Sequence, residues 1–338
     1  MPKHIAAFGE VMMRLTVPGV ELLSQSGTLH YTFSGTGVNV ASALSRMGHE
    51  GMLVTRLPDN PLGDAAAAYL RKLGIGLSFA SRGGKYLGMY FLENGFGARP
   101  SRVTYTNRLE SSFNTAPVGT YDFADIAGKV DAVHFCGIAL AMNDGVRAHM
   151  KALARAVKQQ GGTVIFDCNY RPSLWGEDGY DRARPHYEEM LRLSDVVLMN
   201  ERDAMLTLGL HTEKEARREQ LEELIPQAAR TFGIRTLAGT HRFVNGDNSH
   251  SLQGFMFTSG QFAYSDLLTF AVYDRIGAGD AFASGIIHGE LEGLPPETTV
   301  RYAAAAGMLA HTVAGDTPMS TAQDILKAMT ASAGDVER

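Results

Sequence analysis

Thr163-Val164-Ile165-Phe166-Asp167 and Val196-Val197-Leu198-Met199-Asn200 are two continuously apolar runs separated by a helical stretch over 181–193. Neither run alternates with polar residues, so neither keeps a wet face. Each predicts a strand covered by helices on both sides. Working outward, the same alternation recurs. Strands are predicted at 5–8, 51–55 and 130–135, with helices over 38–47, 63–73 and 144–159. This alternation gives a mostly parallel sheet, and the predicted fold class is α/β, a three-layer α/β/α sandwich. A hairpin over 252–257 and 261–265 turns at Thr258-Ser259-Gly260, and the C-terminal third is predicted helical over 280–292, 296–312 and 321–330.

Two segments break the pattern. Residues 14–34 carry Pro18, Gly19 and Gly27, with polar residues interleaved among Leu29, Tyr31 and Phe33. Residues 85–108 set Tyr86, Met89, Phe91, Val103 and Tyr105 around a Gly/Pro-rich turn at 95–100. Alternation means one apolar and one solvated face, which predicts antiparallel strands outside the main sheet. They form either one small second sheet or two surface hairpins.

Composition narrows the function classes. With 338 residues, 45% apolar and 20% charged, the chain has the material for a large core and no reason to be disordered. A net charge of −5 without a concentrated basic run argues against nucleic-acid partners and against an anionic membrane surface. No stretch reaches the roughly 18 uninterrupted apolar residues of a membrane-spanning helix. The apolar run before Glu10 is too short for a secretory signal. Cys136 and Cys168 sit in apolar runs and read as reduced core thiols. Cytoplasmic small-molecule chemistry is the expectation.

Polar residues gather where predicted strands end: Asp167 and Asn169 after one, Asn200 at the close of another. In open α/β sheets ligands bind beyond the carboxyl ends of the strands. The richest stretch is Asp274-Arg275-Ile276-Gly277-Ala278-Gly279-Asp280-Ala281-Phe282. Its glycines permit a tight turn into a helix whose first N–H groups lack intrahelical partners and face outward at the positive end of the dipole. That arrangement is an anion site. Asp280 beside it is placed to accept a proton from a hydroxyl attacking phosphorus, while the N–H groups of the turn hold the phosphoryl oxygens. The plain alternative is a first-turn acid favoured by the dipole. No Gly-x4-Gly-Lys-Ser/Thr occurs, Phe282 replaces the third glycine of a dinucleotide fingerprint, and the eleven histidines show no zinc spacing.

The run 274–282 resembles the C-terminal signature of the ribokinase/PfkB carbohydrate kinases. Gly35-Thr36-Gly37-Val38-Asn39-Val40-Ala41 is similar to that family's sugar-binding glycine stretch, and Asn200-Glu201-Arg202-Asp203 to its Asn-x-x-Glu element, with Asp for Glu. Residues 8–12, 90–93, 99–103, 167–171, 174–175 and 311–316 resemble the 2-keto-3-deoxygluconate kinase subgroup. The resemblance implies a ribokinase-like core over 1–11, 35–85 and 109–330. It also implies a β lid over 12–34 and 86–108 that covers the sugar and carries a homodimer contact. ATP and Mg2+ follow as cofactors, with a sugar or sugar acid as the other substrate. Asp280 is then the catalytic base, with Gly277, Ala278 and Gly279 as the anion hole. Gly35, Asn39, Tyr90, Tyr105, Arg171 and Asp316 are implied against the sugar. Asn200, Thr236, Thr240, Gly277 and Gly279 are implied against the nucleotide, and Asp203 orders the metal.

The implied reaction is phosphoryl transfer to the terminal hydroxyl of a keto-sugar acid, most nearly 2-keto-3-deoxygluconate. Three departures bear on it. The subgroup's Tyr-x-Arg is here Tyr105-Thr106-Asn107-Arg108, and on a strand a one-residue offset sends a side chain to the opposite face. Arg171 is therefore the expected holder of the carboxylate. The nucleotide stretch is divergent over 236–248, and Thr317-Pro318 follows Asp316 where the subgroup has an aromatic and Asn. A kinase of a neutral ketose such as fructose stays open, as does a sugar-binding regulator without turnover, although the intact 277–280 run speaks against the regulator.

Overall fold

The computed structural model describes residues 2–330. Four of its strands, numbered along the chain, form a small separate sheet: β2 (Met12–Thr16), β3 (His30–Ser34), β6 (Gly88–Glu93) and β7 (Arg102–Thr106). Ten others form a large one: β1 (His4–Phe8), β4 (Glu50–Leu57), β5 (Ala80–Arg82), β8 (Ala132–Cys136), β9 (Thr163–Asp167), β10 (Val196–Leu198), β11 (Thr236–Val244), β12 (His250–Thr258), β13 (Gln261–Tyr264) and β14 (Leu268–Phe270). Its order is β13-β12-β11-β10-β9-β8-β1-β4-β5, with β14 on β12. Every pairing from β11 through to β5 is parallel, and β12, β13 and β14 add antiparallel partners at one edge.

Alternate residues of the central strands feed two different cores. Val164, Phe166 and Val197 pack with Leu153, Met190 and Ile225 from the helices Asp144–Gln159, Gly179–Leu193 and Arg217–Phe232. Ile165, Val196 and Leu198 pack with Leu44, Ile286 and Val300 from Thr36–Arg46, Ala278–Glu292 and Pro296–Ala310. Burial on both faces is why these runs are apolar throughout, and the predicted α/β/α sandwich forms. The helix Arg217–Phe232 is not anticipated by the patterning, because its first turn is charged and Pro226 lies inside it.

The two irregular segments join one sheet, ordered β3-β2-β6-β7. The link between them departs from expectation: β2 and β6 pair in parallel, and only the two outer pairings are antiparallel. In the large sheet the chain moves from β1 to β4 and β5 on one side, and from β8 to β11 on the other. The order reverses between β1 and β8, which places a ligand crevice beyond their carboxyl ends.

Candidate active site

At that crevice lies a cavity of about 480 Å³, walled by Gly9 and Glu10 after β1, by Cys136 at the end of β8, and by the small sheet. A second cavity of about 620 Å³ opens beyond the ends of β9, β10 and β11. Asn169, Arg171, Arg242 and Gly279 belong to both walls, so the two spaces meet there.

The turn Gly277-Ala278-Gly279-Asp280 stands at this junction. Gly277 has φ +84°, and a Cβ added there would collide with the backbone carbonyl of Asp316. Glycine is required by conformation and space together. Gly277→Ala is expected to cost about 2 kcal/mol or more of stability, read by thermal denaturation. Unchanged stability would show that the 315–317 loop yields.

Asp280 lies in the first turn of Ala278–Glu292 and is buried. Its Oδ2 accepts a hydrogen bond from Asn39 Nδ2 at 2.7 Å, and Asn39 Oδ1 accepts one from the Thr317 hydroxyl at 3.3 Å. The second contact fixes which way the amide points. Burial pushes the Asp280 carboxyl up to about 6, while the Asn39 bond and the charge of Arg171 hold it back. A carboxylate poised there is ionised at neutral pH and still basic enough to take a proton.

Gly35 opens the helix Thr36–Arg46 at φ +154°, where a Cβ would strike the Glu10 carbonyl. Tyr90 donates from its hydroxyl to Asp316 and lies 2.9 Å from the Ser34 hydroxyl. Arg14, buried, donates to Asp316 as well and reaches Asp274 at 3.4 Å. This network ties the small sheet to the loop behind the glycine turn. Tyr105 faces Tyr90 across β6 and β7, with ring centroids 6.0 Å apart.

Arg108 lines the first cavity, against the parity expectation. The reason is Asn107, whose φ of +53° ends the strand at Thr106 and turns the chain, so that alternation no longer applies. The Arg108 guanidinium stacks on the Tyr105 ring and donates through Nε to Glu10 at 2.9 Å. Its Nη1 is buried without a hydrogen-bond partner. Glu10 also accepts from Ser111 at 2.7 Å and Asn114 at 3.2 Å; burial raises its pKa, and these contacts oppose the rise.

Beside the second cavity, Asn200 Oδ1 accepts from the backbone N–H of Arg202 at 2.8 Å, and Asp203 Oδ2 accepts from that of Asn200 at 2.9 Å. The pair bonds reciprocally at the start of the helical stretch over 201–207 and faces the second cavity with Thr240. Burial lifts Asp203 to about 6 and Asp167 to about 8, the latter with help from the charge of Asp280. Thr236 is a correction. It begins β11 at the opposite end from the site, is fully buried, and spends its hydroxyl on Thr258 and Glu290.

The profile of the pfkB family of carbohydrate kinases matches residues 2–323. The chain belongs to this family. It is an ATP-dependent carbohydrate kinase. Its fold is similar to that of a 2-dehydro-3-deoxygluconokinase from Thermotoga maritima (TM-score 0.93, 32% identity, covering 98% of this chain and 99% of that one). It is also similar to a provisionally assigned 2-keto-3-deoxygluconate kinase from Enterococcus faecalis (TM-score 0.95, 37% identity, 99% of both chains). In sequence it is 28% identical over 339 residues to the 2-dehydro-3-deoxygalactonokinase of Haloferax volcanii, covering all of both chains.

The structure brings Gly35, Asn39, Tyr90, Tyr105, Arg171, Gly277, Gly279, Asp280 and Asp316 together around one cavity, and Asn200, Asp203 and Thr240 around the other. Ala278 lines the second, from the same turn. Arg14 joins them from outside any sequence motif, and Arg242 and Arg275 come from the stretches 236–248 and 274–282. No helix among the described residues is long and apolar enough to cross a membrane.

Proposed function

We propose that this kinase phosphorylates the terminal hydroxyl of a six-carbon keto-sugar acid, taking 2-keto-3-deoxygluconate to its 6-phosphate with MgATP. The observation that carries the reading is Arg108. It reaches the sugar cavity from the small-sheet side with a buried, unpartnered Nη1, while Asp280 reaches it from the helix terminus. A buried donor without a partner is costly, and a substrate carboxylate would satisfy it. The names of the relatives agree. One observation favours a neutral ketose instead: Glu10 already offsets the charge of Arg108.

In this reading Asp280 takes the hydroxyl proton, and the N–H groups of 277–279 hold the phosphoryl oxygens. The residues present fit a divalent cation bound chiefly by the nucleotide. Asp203 and Asn200 face the second cavity, yet no group of three ligating side chains among the described residues forms a metal site of its own. Asp203 and Asn200 would hold the Mg2+ through water, and the ion would neutralise phosphate charge. Arg171, exposed and shared by both cavities, is placed for the phosphates as much as for the sugar. A cytoplasmic setting suits the two buried free cysteines.

The deciding experiment pairs MgATP with 2-keto-3-deoxygluconate, 2-keto-3-deoxygalactonate, gluconate, fructose, ribose and adenosine. Preference for a keto acid supports the proposal, and preference for fructose or ribose removes it. The small sheet would serve as a lid, since closure must exclude water from the phosphoryl group. Amide exchange over 12–34 and 86–108 is then expected to slow when sugar is added; a response confined to the large sheet would rule out a lid. Exposed Tyr31, on the face of the small sheet opposite to Tyr90 and Tyr105, supports a homodimer through that face. Sedimentation of Tyr31→Glu against the wild type tests it.

A further inference from the structure

Arg242, on β11, and Arg275, just before the glycine turn, both line the sugar cavity, and Arg242 lines the nucleotide cavity too. Among the described residues neither guanidinium has a hydrogen bond or an acidic partner; desolvation first, and the charge of Arg275 second, lower the pKa of Arg242. The nearest acid in sequence, Asp274, is committed elsewhere. It accepts from Arg14, from the backbone N–H of Gly315 at 3.1 Å, and from those of Arg275 and Ile276 at 2.7 and 3.2 Å. Buried His250 and His311, on which both arginine charges act, offer no counter-charge. Burial and the two guanidiniums push His250 down to about 4.

Two like charges on one cavity wall, neither paired with an acid among the described residues, call for an anion that arrives with the ligands. Two cavities with one shared wall say which anion. When the sugar hydroxyl oxygen bonds to the γ-phosphorus, the bond from phosphorus to the ADP oxygen breaks, its electron pair leaves with ADP, and the hydroxyl proton goes to Asp280. The three non-bridging oxygens thereby pass from the nucleotide side to the sugar side. We propose that Arg242 follows the phosphoryl group through this passage, and that Arg275, which lines the sugar cavity alone, grips it only once it belongs to the sugar. Arg275 then distinguishes product from substrate, and bidentate guanidinium contacts suit that task.

The inference rests on the family's kinase chemistry and not on the sugar-acid assignment, so the test uses two sugar pairs. Wild type, Arg275→Gln and Arg242→Gln are titrated calorimetrically with 2-keto-3-deoxygluconate and its 6-phosphate, with fructose and its 6-phosphate, and with MgATP. Whichever sugar the wild type binds supplies the comparison. Arg275→Gln is expected to lose about ten- to a hundredfold affinity for the phosphate ester, with the free sugar and MgATP within threefold. Arg242→Gln is expected to weaken both the ester and MgATP. Equal losses on sugar and ester would assign the arginines to the sugar itself, and no loss on any phosphate would leave them as solvated surface charges; either result overturns the proposal. Failure of the keto acid alone to bind wild type would count against the substrate reading only.

Discussion

Asp280→Asn is expected to lower kcat by about 10²–10⁴, the usual range for loss of a general base, with sugar affinity nearly unchanged. Asparagine keeps the size and can still meet the Asn39 side chain, but it cannot take the proton. The pH dependence makes the test specific. With the carboxyl near 6, wild-type kcat/KM should fall as pH drops through that value, and the variant should lose this limb. Stability has the opposite sign from an ordinary surface acid. The folded pKa lies above the ordinary 3.8, so the folded state binds the proton more tightly, and stability declines as pH rises from about 4 through 6. A neutral amide escapes that cost, and at pH 7.5 the variant should melt no lower than wild type. Activity within tenfold of wild type would remove Asp280 from the mechanism. A markedly lowered melting point would make its loss of activity a folding effect.

What was legible in the sequence is what depends on near neighbours. The doubly buried strands declare themselves through continuous apolar runs, and the glycine turn through four adjacent residues. Other features depend on a single dihedral angle or on distant partners. Arg108 reaches the cavity because Asn107 adopts φ +53°, and parity arguments hold only while the strand continues. Thr236 and Thr240 look equivalent in the same stretch. Parallel pairing of Thr236 with Val196 puts the first at the strand entrance, while the second faces the cavity beyond the ends of β9, β10 and β11. Arg14 and Asp316 are 302 positions apart, and no periodicity links them. That neither Arg242 nor Arg275 has an acidic partner among the described residues is a property of the folded surface.

Arg108 carries the second large effect. If it holds a substrate carboxylate, removing its guanidinium should lower kcat/KM for the keto acid by about ten- to a hundredfold, the worth of one charge-assisted pair. A neutral ketose should stay within threefold. The single truncation has a complication, because Glu10 would remain buried without its cation. Breaking one side of a buried pair costs roughly 3–5 kcal/mol. The informative variant is therefore the double substitution Glu10→Gln with Arg108→Met, compared with Glu10→Gln alone. Ser111 and Asn114 remain to hold an amide at position 10. The comparison isolates the guanidinium from the fold. Arg171→Ala serves as the counter-test, since that residue stands at the shared wall beside Asp280 and should weaken MgATP along with either sugar. An acid-specific loss at Arg171 with none at Arg108 would return the carboxylate to Arg171. Equal losses for keto acid and ketose at both positions would mean that neither arginine reads a carboxylate, and the neutral-ketose reading would take its place.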